Sequence, residues 1–217
     1  MYNTGFLFDL DGVIVDTAKY HYLAWKDLAD ELGIPFTLQD NELLKGVSRM
    51  RSFEIILDIG KVSMSQEEKE YYCTKKNQVY LDYIEQLTKD DVLPGARDFL
   101  LAAKAEGIGI ALGSASKNAP RILEKLELTA LFDAIMDGTK VSSAKPDPEV
   151  FVKGAEALGI PCENCIVFED AVAGIEAAHA GGMKAVGVGR IEDLPKADTH
   201  ISTFVGLTPR QILAILK

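Results

Sequence analysis

Short runs of apolar residues recur along the chain, and each run is bounded by polar residues. The runs cover residues 5–10, 108–112, 166–168 and 185–188. Their apolar residues are consecutive and not alternating, and each run is too short for a typical helix. They therefore predict short strands that are buried on both faces of a sheet.

Segments with helical spacing separate the later apolar runs. These segments cover residues 96–106, 118–127, 148–158 and 171–180. Alternation of buried strands with helices is typical of a mostly parallel sheet that carries helices on both faces. The predicted fold class is α/β, with a Rossmann-like core.

The segment after the first strand has a different pattern, because it shows helical spacing and no convincing strand. His21, Trp25 and Leu28 fall on one stripe of a predicted helix. Further helices fit residues 49–58 and 65–87. The pattern predicts a small helical cap domain inserted into the core. We place the cap at residues 15–92 and the α/β core at residues 1–14 and 93–217.

Composition excludes some classes of function. The chain has 217 residues, 47% of them hydrophobic, and a formal net charge of −10 at pH 7. Apolar residues are numerous enough for a core, whereas the strong acidity argues against a nucleic-acid partner. No apolar run has the length of a membrane span, so we expect no membrane partner. The fold is self-sufficient at this size, so we expect a monomer.

Cysteine usage points to a reducing compartment. The chain has three cysteines, an odd and sparse number for its length. This usage predicts free thiols and a cytoplasmic location. Cys162 and Cys165 form a C-x-x-C pair, but the other candidate zinc ligands are scattered, so we interpret the pair as part of a loop before a strand.

Two carboxylates, Asp9 and Asp11, directly follow the apolar start of the first run, and Gly12 then turns the chain. Residues two apart in an extended strand point to the same face, and open α/β sheets bind ligands at the carboxyl ends of their strands. Paired acids repel each other unless a hard cation or a shared proton relieves the repulsion. The pair predicts a cation-binding site with acid-base chemistry, and a solvated turn is the alternative.

Three more polar segments fit the same site. Ser114 follows the second apolar run and opens a helical segment, where a hydroxyl and free helix amides suit a phosphate. Glu169 and Asp170 end the third run with two further acids. Lys145 precedes Pro146, which favours an extended approach of the lysine to the site. Together the segments predict a Mg²⁺ site with a hydroxyl and a cation for phosphate.

These four segments, taken in order, resemble the signature of the haloacid dehalogenase superfamily of phosphotransferases. The resemblance spans the whole α/β part, and the helical insertion looks like the small cap of that superfamily. It implies that Asp9 is a nucleophile that becomes an aspartyl phosphate and that Asp11 is a general acid and base. It also implies that Ser114 and Lys145 hold the transferring phosphoryl group. The implied Mg²⁺ ligands are Asp9, Asp11 through its backbone carbonyl, Glu169 and Asp170.

The Thr17, His21 and Trp25 pattern, the segment 44–49 with Ser52, and the segment 114–118 resemble members of the superfamily that move a phosphoryl group between two positions of glucose. This resemblance implies interconversion of β-glucose 1-phosphate and glucose 6-phosphate, with β-glucose 1,6-bisphosphate as intermediate and activator. A sugar-phosphate substrate then needs a sugar site and a second phosphate site. The residues implied for these sites are Thr17, His21, Trp25, Gly46, Val47, Ser48, Arg49, Ser52, Ala115, Ser116, Lys117 and Asn118.

Two other functions are compatible with the same residues. A Mg²⁺-dependent phosphatase of a small sugar phosphate would use the same Asp nucleophile, with water as the acceptor. A non-catalytic binding protein is a third possibility, although every expected catalytic residue type is present. Arg49 and the Ser116–Asn118 segment favour the mutase, because a monophosphatase needs no second phosphate site. Lys45 and Lys76 are left outside the expected site, because exposed lysines are common.

Overall fold

The computed structural model describes residues 3–44 and 47–215. Within these ranges the centre is a six-stranded, wholly parallel sheet. Its strands are β1 (Gly5–Phe8), β2 (Gly109–Gly113), β3 (Ala134–Met136), β4 (Cys165–Glu169), β5 (Lys184–Val188) and β6 (Thr199–Ile201). The strand order is β3-β2-β1-β4-β5-β6. The order reverses between β1 and β4, and such a switch point is where open α/β sheets bind ligands.

The sequence predicted four of these strands, and the structure confirms an α/β fold with a parallel sheet. All four residues of β1 are buried, which agrees with a strand covered on both faces. The edge strands β3 and β6 were not predicted. Each has only three residues and is mostly half-buried, so neither forms an apolar run.

Helices cover both faces of the sheet. Phe6 and Phe8 of β1 belong to one hydrophobic cluster and Leu7 to another, because successive side chains of a strand alternate between faces. The helices of the core region are α5 (Ala96–Ala105), α6 (Ala119–Lys125), α7 (Glu149–Leu158), α8 (Val172–Ala180) and α9 (Pro209–Ile215). Helices α5, α6 and α9 pack on the Phe6 face, while α7 and α8 pack on the Leu7 face.

The segment between β1 and β2 begins as a group of helices with a hydrophobic cluster of its own. These are α1 (Ala18–Glu31), α2 (Leu38–Asn41), α3 (Arg49–Gly60) and α4 (Gln66–Ile84). Trp25 of α1 stacks on Phe53 of α3, and both are buried in this cluster. A separate cluster agrees with an inserted helical cap, although the domain boundaries remain a prediction. None of the helices in the described ranges combines the length and the hydropathy of a membrane span.

The chain enters and leaves the helical segment at adjacent points. Val15 forms an antiparallel bridge with Val92, and the N–H of Leu93 donates to the carbonyl of Ile14 at 2.8 Å. The helical segment is therefore joined to the sheet through two crossings that lie side by side, above the carboxyl end of β1.

Candidate active site

The predicted acids lie at the switch point of the sheet. The N–H of Asp9 donates to the carbonyl of Phe168 at 3.0 Å, so pairing between β1 and β4 continues one residue past β1. This pairing places Asp9 beside Glu169, the last residue of β4. Asp11 lies beyond the end of β1. The turn after the strand therefore positions Asp11 near Asp9, and the alternation of side chains along a strand does not.

Gly12 allows this turn to approach β4 closely. Its φ is +80°, a left-handed conformation that favours glycine. A Cβ atom at this position would overlap the carboxylate of Asp170. A glycine after Asp11 is therefore required for Asp170 to lie against the loop that carries both acids.

Lys145 inserts its ammonium between two of the acids. Its Nζ donates to Asp9 Oδ1 at 2.6 Å and to Glu169 Oε2 at 3.3 Å. Burial by itself would lower the pKa of Lys145, but the negative charges of Asp9 and Glu169 outweigh it and raise that pKa. Lys145 is therefore held charged, and it orients one oxygen of Asp9.

The acids also have the chemistry of a divalent cation site. Asp9, Glu169 and Asp170 each offer a carboxylate oxygen, and these oxygens lie within 4.8 Å of one another. Glu169 Oε1 is buried and has no hydrogen-bond partner, and burial next to Asp9 raises the pKa of Glu169. Hard oxygen ligands and an orphaned carboxylate oxygen fit Mg²⁺. The expected contact of Asp11 through its backbone carbonyl stays a prediction.

Asp11 faces the helical segment. Its Oδ2 lies 4.0 Å from Nε2 of His21 in α1, and its Oδ1 is buried with no hydrogen-bond partner. Burial, with further contributions from Asp9 and Asp170, raises the pKa of Asp11 well above its ordinary value. The environment favours a protonated carboxyl, which is the form a general acid requires.

Three basic residues of the helical segment meet opposite Asp11. Lys76 is buried, and its Nζ lies 2.8 Å from Nδ1 of His21 and over the rings of Trp25 and Tyr80. Burial and the nearby Arg49 lower the pKa of Lys76 to about 7. Burial, Lys76 and Arg49 lower the pKa of His21 in the same way. Arg49 keeps its charge, and an anion bound beside it would favour the protonated forms of Lys76 and His21, so this region suits an anion.

The loop after β2 is organised by its own hydroxyls. The N–H of Ser116 donates to Ser114 Oγ at 3.1 Å, and the N–H of Asn118 donates to Ser116 Oγ at 3.2 Å. The Asn118 amide also donates to Oδ1 of Asn77 in α4 at 2.9 Å. This loop therefore connects the end of β2 to the helical segment.

A cavity of about 450 Å³ brings most of the predicted residues together. From the core it is lined by Asp9, Asp11, Ser114, Ala115, Ser116, Lys117, Asn118 and Asp170. From the helical segment it is lined by His21, Trp25, Val47, Ser48, Arg49 and Ser52, among others.

Three of the predicted residues that the structure describes do not line this cavity. Lys145 and Glu169 are buried behind Asp9, where Lys145 pairs with both Asp9 and Glu169. Thr17 is fully buried, and its hydroxyl accepts a hydrogen bond from Tyr80 at 3.2 Å, so its expected contact with substrate stays a prediction. Gly46 lies outside the described residues, as does Lys45.

The cavity contains residues that sequence analysis left out. Cys73 and Lys76 line the cavity and share the buried face of α4 with Tyr80. Their helical spacing is a sequence signal that could have indicated that Lys76 is buried. Asn41 and the loop residues Ser142 and Ser143 also line the cavity, and no sequence pattern marks them. Arg51 is exposed and pairs with Glu54 at 3.4 Å.

The fold and the site define a class of protein: an α/β scaffold with an acidic cluster at the carboxyl end of its parallel sheet, facing a group of inserted helices. The profile of a family described as haloacid dehalogenase-like hydrolase matches residues 4–182. The chain therefore belongs to the haloacid dehalogenase-like hydrolase family.

Individual members of the family give a more specific comparison. The chain is 44% identical to a beta-phosphoglucomutase of Bacillus subtilis over 93% of this chain and 90% of the relative. It is similar to a solved beta-phosphoglucomutase structure from Clostridium difficile, with a TM-score of 0.94, 43% identity, and coverage of 98% and 96% of the two chains. It is also 30% identical to a phosphorylated carbohydrates phosphatase of Thermotoga maritima, over 97% of each chain.

Proposed function

We propose that the protein is a β-phosphoglucomutase. It interconverts β-D-glucose 1-phosphate and D-glucose 6-phosphate through an aspartyl-phosphate enzyme and β-glucose 1,6-bisphosphate. The observation that carries the proposal is that one cavity is lined both by the transfer acids and by a separate set of phosphate-binding candidates. The Bacillus subtilis relative that bears this name supports the choice of sugar.

Asp9 is the nucleophile in this proposal. Its oxygen attacks phosphorus, the bond from phosphorus to the sugar oxygen breaks, and an aspartyl phosphate forms. Lys145 holds the other carboxylate oxygen at 2.6 Å and so fixes the orientation of Asp9 for in-line attack. Ser114, at the end of β2, and Lys145 hold the oxygens of the transferring group.

Asp11 is the general acid and base. In its protonated form it gives its proton to the departing sugar oxygen as the aspartyl phosphate forms. The resulting carboxylate then takes the proton from the accepting sugar hydroxyl as that hydroxyl attacks the aspartyl phosphate. Its buried position beside Asp9 and Asp170, which raises its pKa, suits this alternation.

The acidic group is the proposed Mg²⁺ site. Asp9, Glu169 and Asp170 would hold the ion, together with the carbonyl of Asp11. Bound Mg²⁺ would neutralise negative charge that develops on the transferring phosphoryl oxygens.

A mutase must hold the bisphosphate in two orientations, so it needs a site for the phosphate that is not reacting. Arg49, the first residue of α3, supplies a planar fork of donors on the cap side of the cavity. Ser116, Lys117 and Asn118 supply donors on the core side. The sugar lies between these groups, against His21, Trp25, Ser52 and the Val47–Ser48 segment.

The deciding experiment follows ³¹P NMR of the protein with Mg²⁺, β-glucose 1-phosphate and a trace of β-glucose 1,6-bisphosphate. Conversion to glucose 6-phosphate with little inorganic phosphate is the expected result. Release of inorganic phosphate alone would refute the mutase and leave a phosphatase. Gel filtration alongside tests the proposed monomer, and fractionation of the native host tests the proposed cytoplasmic location.

Phosphatase activity on small sugar phosphates is the second candidate, favoured by the similarity to the Thermotoga maritima phosphatase. Arg49→Ala separates the two functions. In a mutase this change should lower kcat/KM for the glucose phosphates by about 100-fold, because a charged hydrogen bond to the second phosphate is lost. Hydrolysis of acetyl phosphate, which has no second phosphate, should change less than about threefold. Equal losses would favour the phosphatase.

A further inference from the structure

Asn41 is a buried polar residue to which the proposed mechanism gives no role. It is the last residue of α2, it is only 7% exposed, and it lines the same cavity as Asp9 and Arg49. Its Oδ1 is buried and has no hydrogen-bond partner. In the described ranges, no hydrogen bond engages the side-chain amide of Asn41 at all.

The other polar side chains on this wall of the cavity mostly have partners. His21 is engaged by Lys76 at 2.8 Å, and Ser48 Oγ accepts from the N–H of Arg51 at 3.3 Å. The remaining wall combines apolar side chains with Arg49, Ser52 and Lys76. Its apolar members are Ala18, Trp25, Leu44, Val47 and Met50. Asn41 is therefore an unengaged amide on a wall of mixed character.

A buried amide oxygen without a partner is unfavourable, because it has lost contact with water and gained no hydrogen bond in return. A ligand that supplies the missing partner recovers this loss on binding. An amide both accepts and donates hydrogen bonds, and so does an alcohol. A sugar hydroxyl is thus the complementary group, whereas a phosphate would find an unfavourable carbonyl oxygen.

We propose that Asn41 determines substrate specificity by hydrogen-bonding one ring hydroxyl of the sugar from the cap side of the cavity. The inference rests on the proposed function, because that function places a glucose ring in this cavity. Sites that hydrogen-bond a hydroxyl discriminate strongly against analogues that lack it, since the protein group is then left without a partner.

The test compares wild type with Asn41→Leu, which has nearly the same size and no polar atoms. The substrates are β-glucose 1-phosphate and its 2-deoxy, 3-deoxy and 4-deoxy analogues, and acetyl phosphate reports phosphoryl transfer without a sugar. Asn164→Leu is the matched control, since Asn164 is exposed and lies far along the chain, before β4. Thermal unfolding checks that each variant folds, and Asn41→Ala repeats the comparison if the leucine is too bulky.

The expected result is that Asn41→Leu lowers kcat/KM by about tenfold for β-glucose 1-phosphate and for two of its deoxy analogues. For the remaining analogue, wild type and variant should have equal kcat/KM, because the hydroxyl that Asn41 contacts is already missing. Acetyl phosphate hydrolysis should stay within about twofold of wild type. A loss that is the same for every sugar and for acetyl phosphate would show a structural role for Asn41 and overturn the inference.

Failure of the proposed function is a separate outcome. If wild type does not isomerise β-glucose 1-phosphate, kcat/KM of wild type and of Asn41→Leu is compared for hydrolysis of the four sugar phosphates. Equal kcat/KM of the two proteins for one deoxy analogue alone would then support Asn41 as a sugar contact in a phosphatase. If no analogue gives equal kcat/KM, the inference is overturned for a mutase and for a phosphatase alike.

Discussion

At the scale of single residues, the site depends on how a few buried charges balance. Lys145 is 3% exposed and Glu169 is fully buried, and Asp9 is nearly so. The Lys145 ammonium pairs with two carboxylates, Asp9 at 2.6 Å and Glu169 at 3.3 Å. The remaining negative charge and the unpartnered Oε1 of Glu169 favour binding of a divalent cation.

Asp9→Asn tests the nucleophile. The amide cannot form the acyl phosphate, so turnover should fall by roughly 1,000-fold or more. Binding of glucose 6-phosphate, measured by calorimetry with Mg²⁺ present, should change less than about tenfold, because the amide has nearly the same shape. Asp27→Asn, in an exposed part of α1, is the control. Retained turnover would show that another residue is the nucleophile.

Lys145→Met tests the charge balance. Without metal, the change leaves Asp9 and Glu169 buried with no cation between them, and such a loss costs about 3 kcal/mol of unfolding free energy. Mg²⁺ should restore part of this loss, because the ion supplies the missing positive charge. The measurement is urea unfolding in EDTA and in Mg²⁺, with Lys184→Met, an exposed lysine of β5, as control. A loss that Mg²⁺ does not change would contradict the proposed balance.

At the scale of elements, helix termini and the turns before them hold the proposed catalytic groups in place. Glu149, the first residue of α7, accepts hydrogen bonds from the N–H groups of Ser142 and Ser143 at 2.8 and 2.7 Å. It also pairs with Lys153 at 2.6 Å, one turn further along the helix. The bonds from Ser142 and Ser143 tie the two ends of the segment that carries Lys145 together. The start of α7 therefore fixes the position from which Lys145 reaches Asp9.

Glu149→Gln tests this closure through pH. The hydrogen bond from Lys153, followed by that from the N–H of Ser143, lowers the pKa of Glu149 to about 2. A carboxyl whose pKa is lowered by folding stabilises the protein above its unfolded pKa, about 4.3, and loses that effect as pH falls towards 2. The melting temperature of Glu149→Gln should therefore lie below that of wild type at pH 7. The gap should narrow as pH falls below about 4 and close near pH 2.

The control for this series is Glu156→Gln, an exposed acid on the same helix. Its melting temperature should follow that of wild type at every pH. A gap between wild type and Glu149→Gln that does not depend on pH would mean that the carboxylate charge is not what holds the segment.

At the scale of the whole molecule, the cavity exists because the inserted helices lie against the carboxyl end of the sheet. Two contacts, one at the edge of the cavity and one outside it, also join the two parts. Asn77 of α4 accepts from Asn118, and Glu85, just after α4, pairs with Lys125 of α6 at 2.8 Å. A mutase must let its bisphosphate turn round, and the paired crossings at Val15 and Val92 are where the proposed cap would move.

Gly95→Ala tests the packing of the returning crossing. Gly95 has φ of +81°, and a Cβ there would collide with the backbone of Phe204 and Val205. Gly107→Ala is the matched control, since Gly107 has φ of +73° but open space around it. Both changes should cost about 1 kcal/mol from backbone strain, and Gly95→Ala about 2 kcal/mol more from the collision. Equal losses in urea unfolding would show that the contact with Phe204 is not tight.

Most of the elements of the core, and many residues of the proposed site, could be predicted from the sequence alone. Buried parallel strands are apolar runs, and groups that follow such strands must meet at one edge of the sheet, so Asp9, Ser114 and Glu169 were predictable. The helical stripe through His21 and Trp25 likewise predicted a separate helical unit. These features depend on spacing along the chain, which a sequence displays directly.

Which side chains meet across the cavity depends on the tertiary structure and could not be predicted from spacing. Lys76 contacts His21 although 55 positions separate them, and Asn41 reaches the cavity from a four-residue helix that no pattern indicates. Thr17 bonds to Tyr80, and the edge strands β3 and β6 exist through pairing and not through apolar content. The physical reason is that local spacing fixes the face of an element, whereas the partner on that face depends on how distant elements pack.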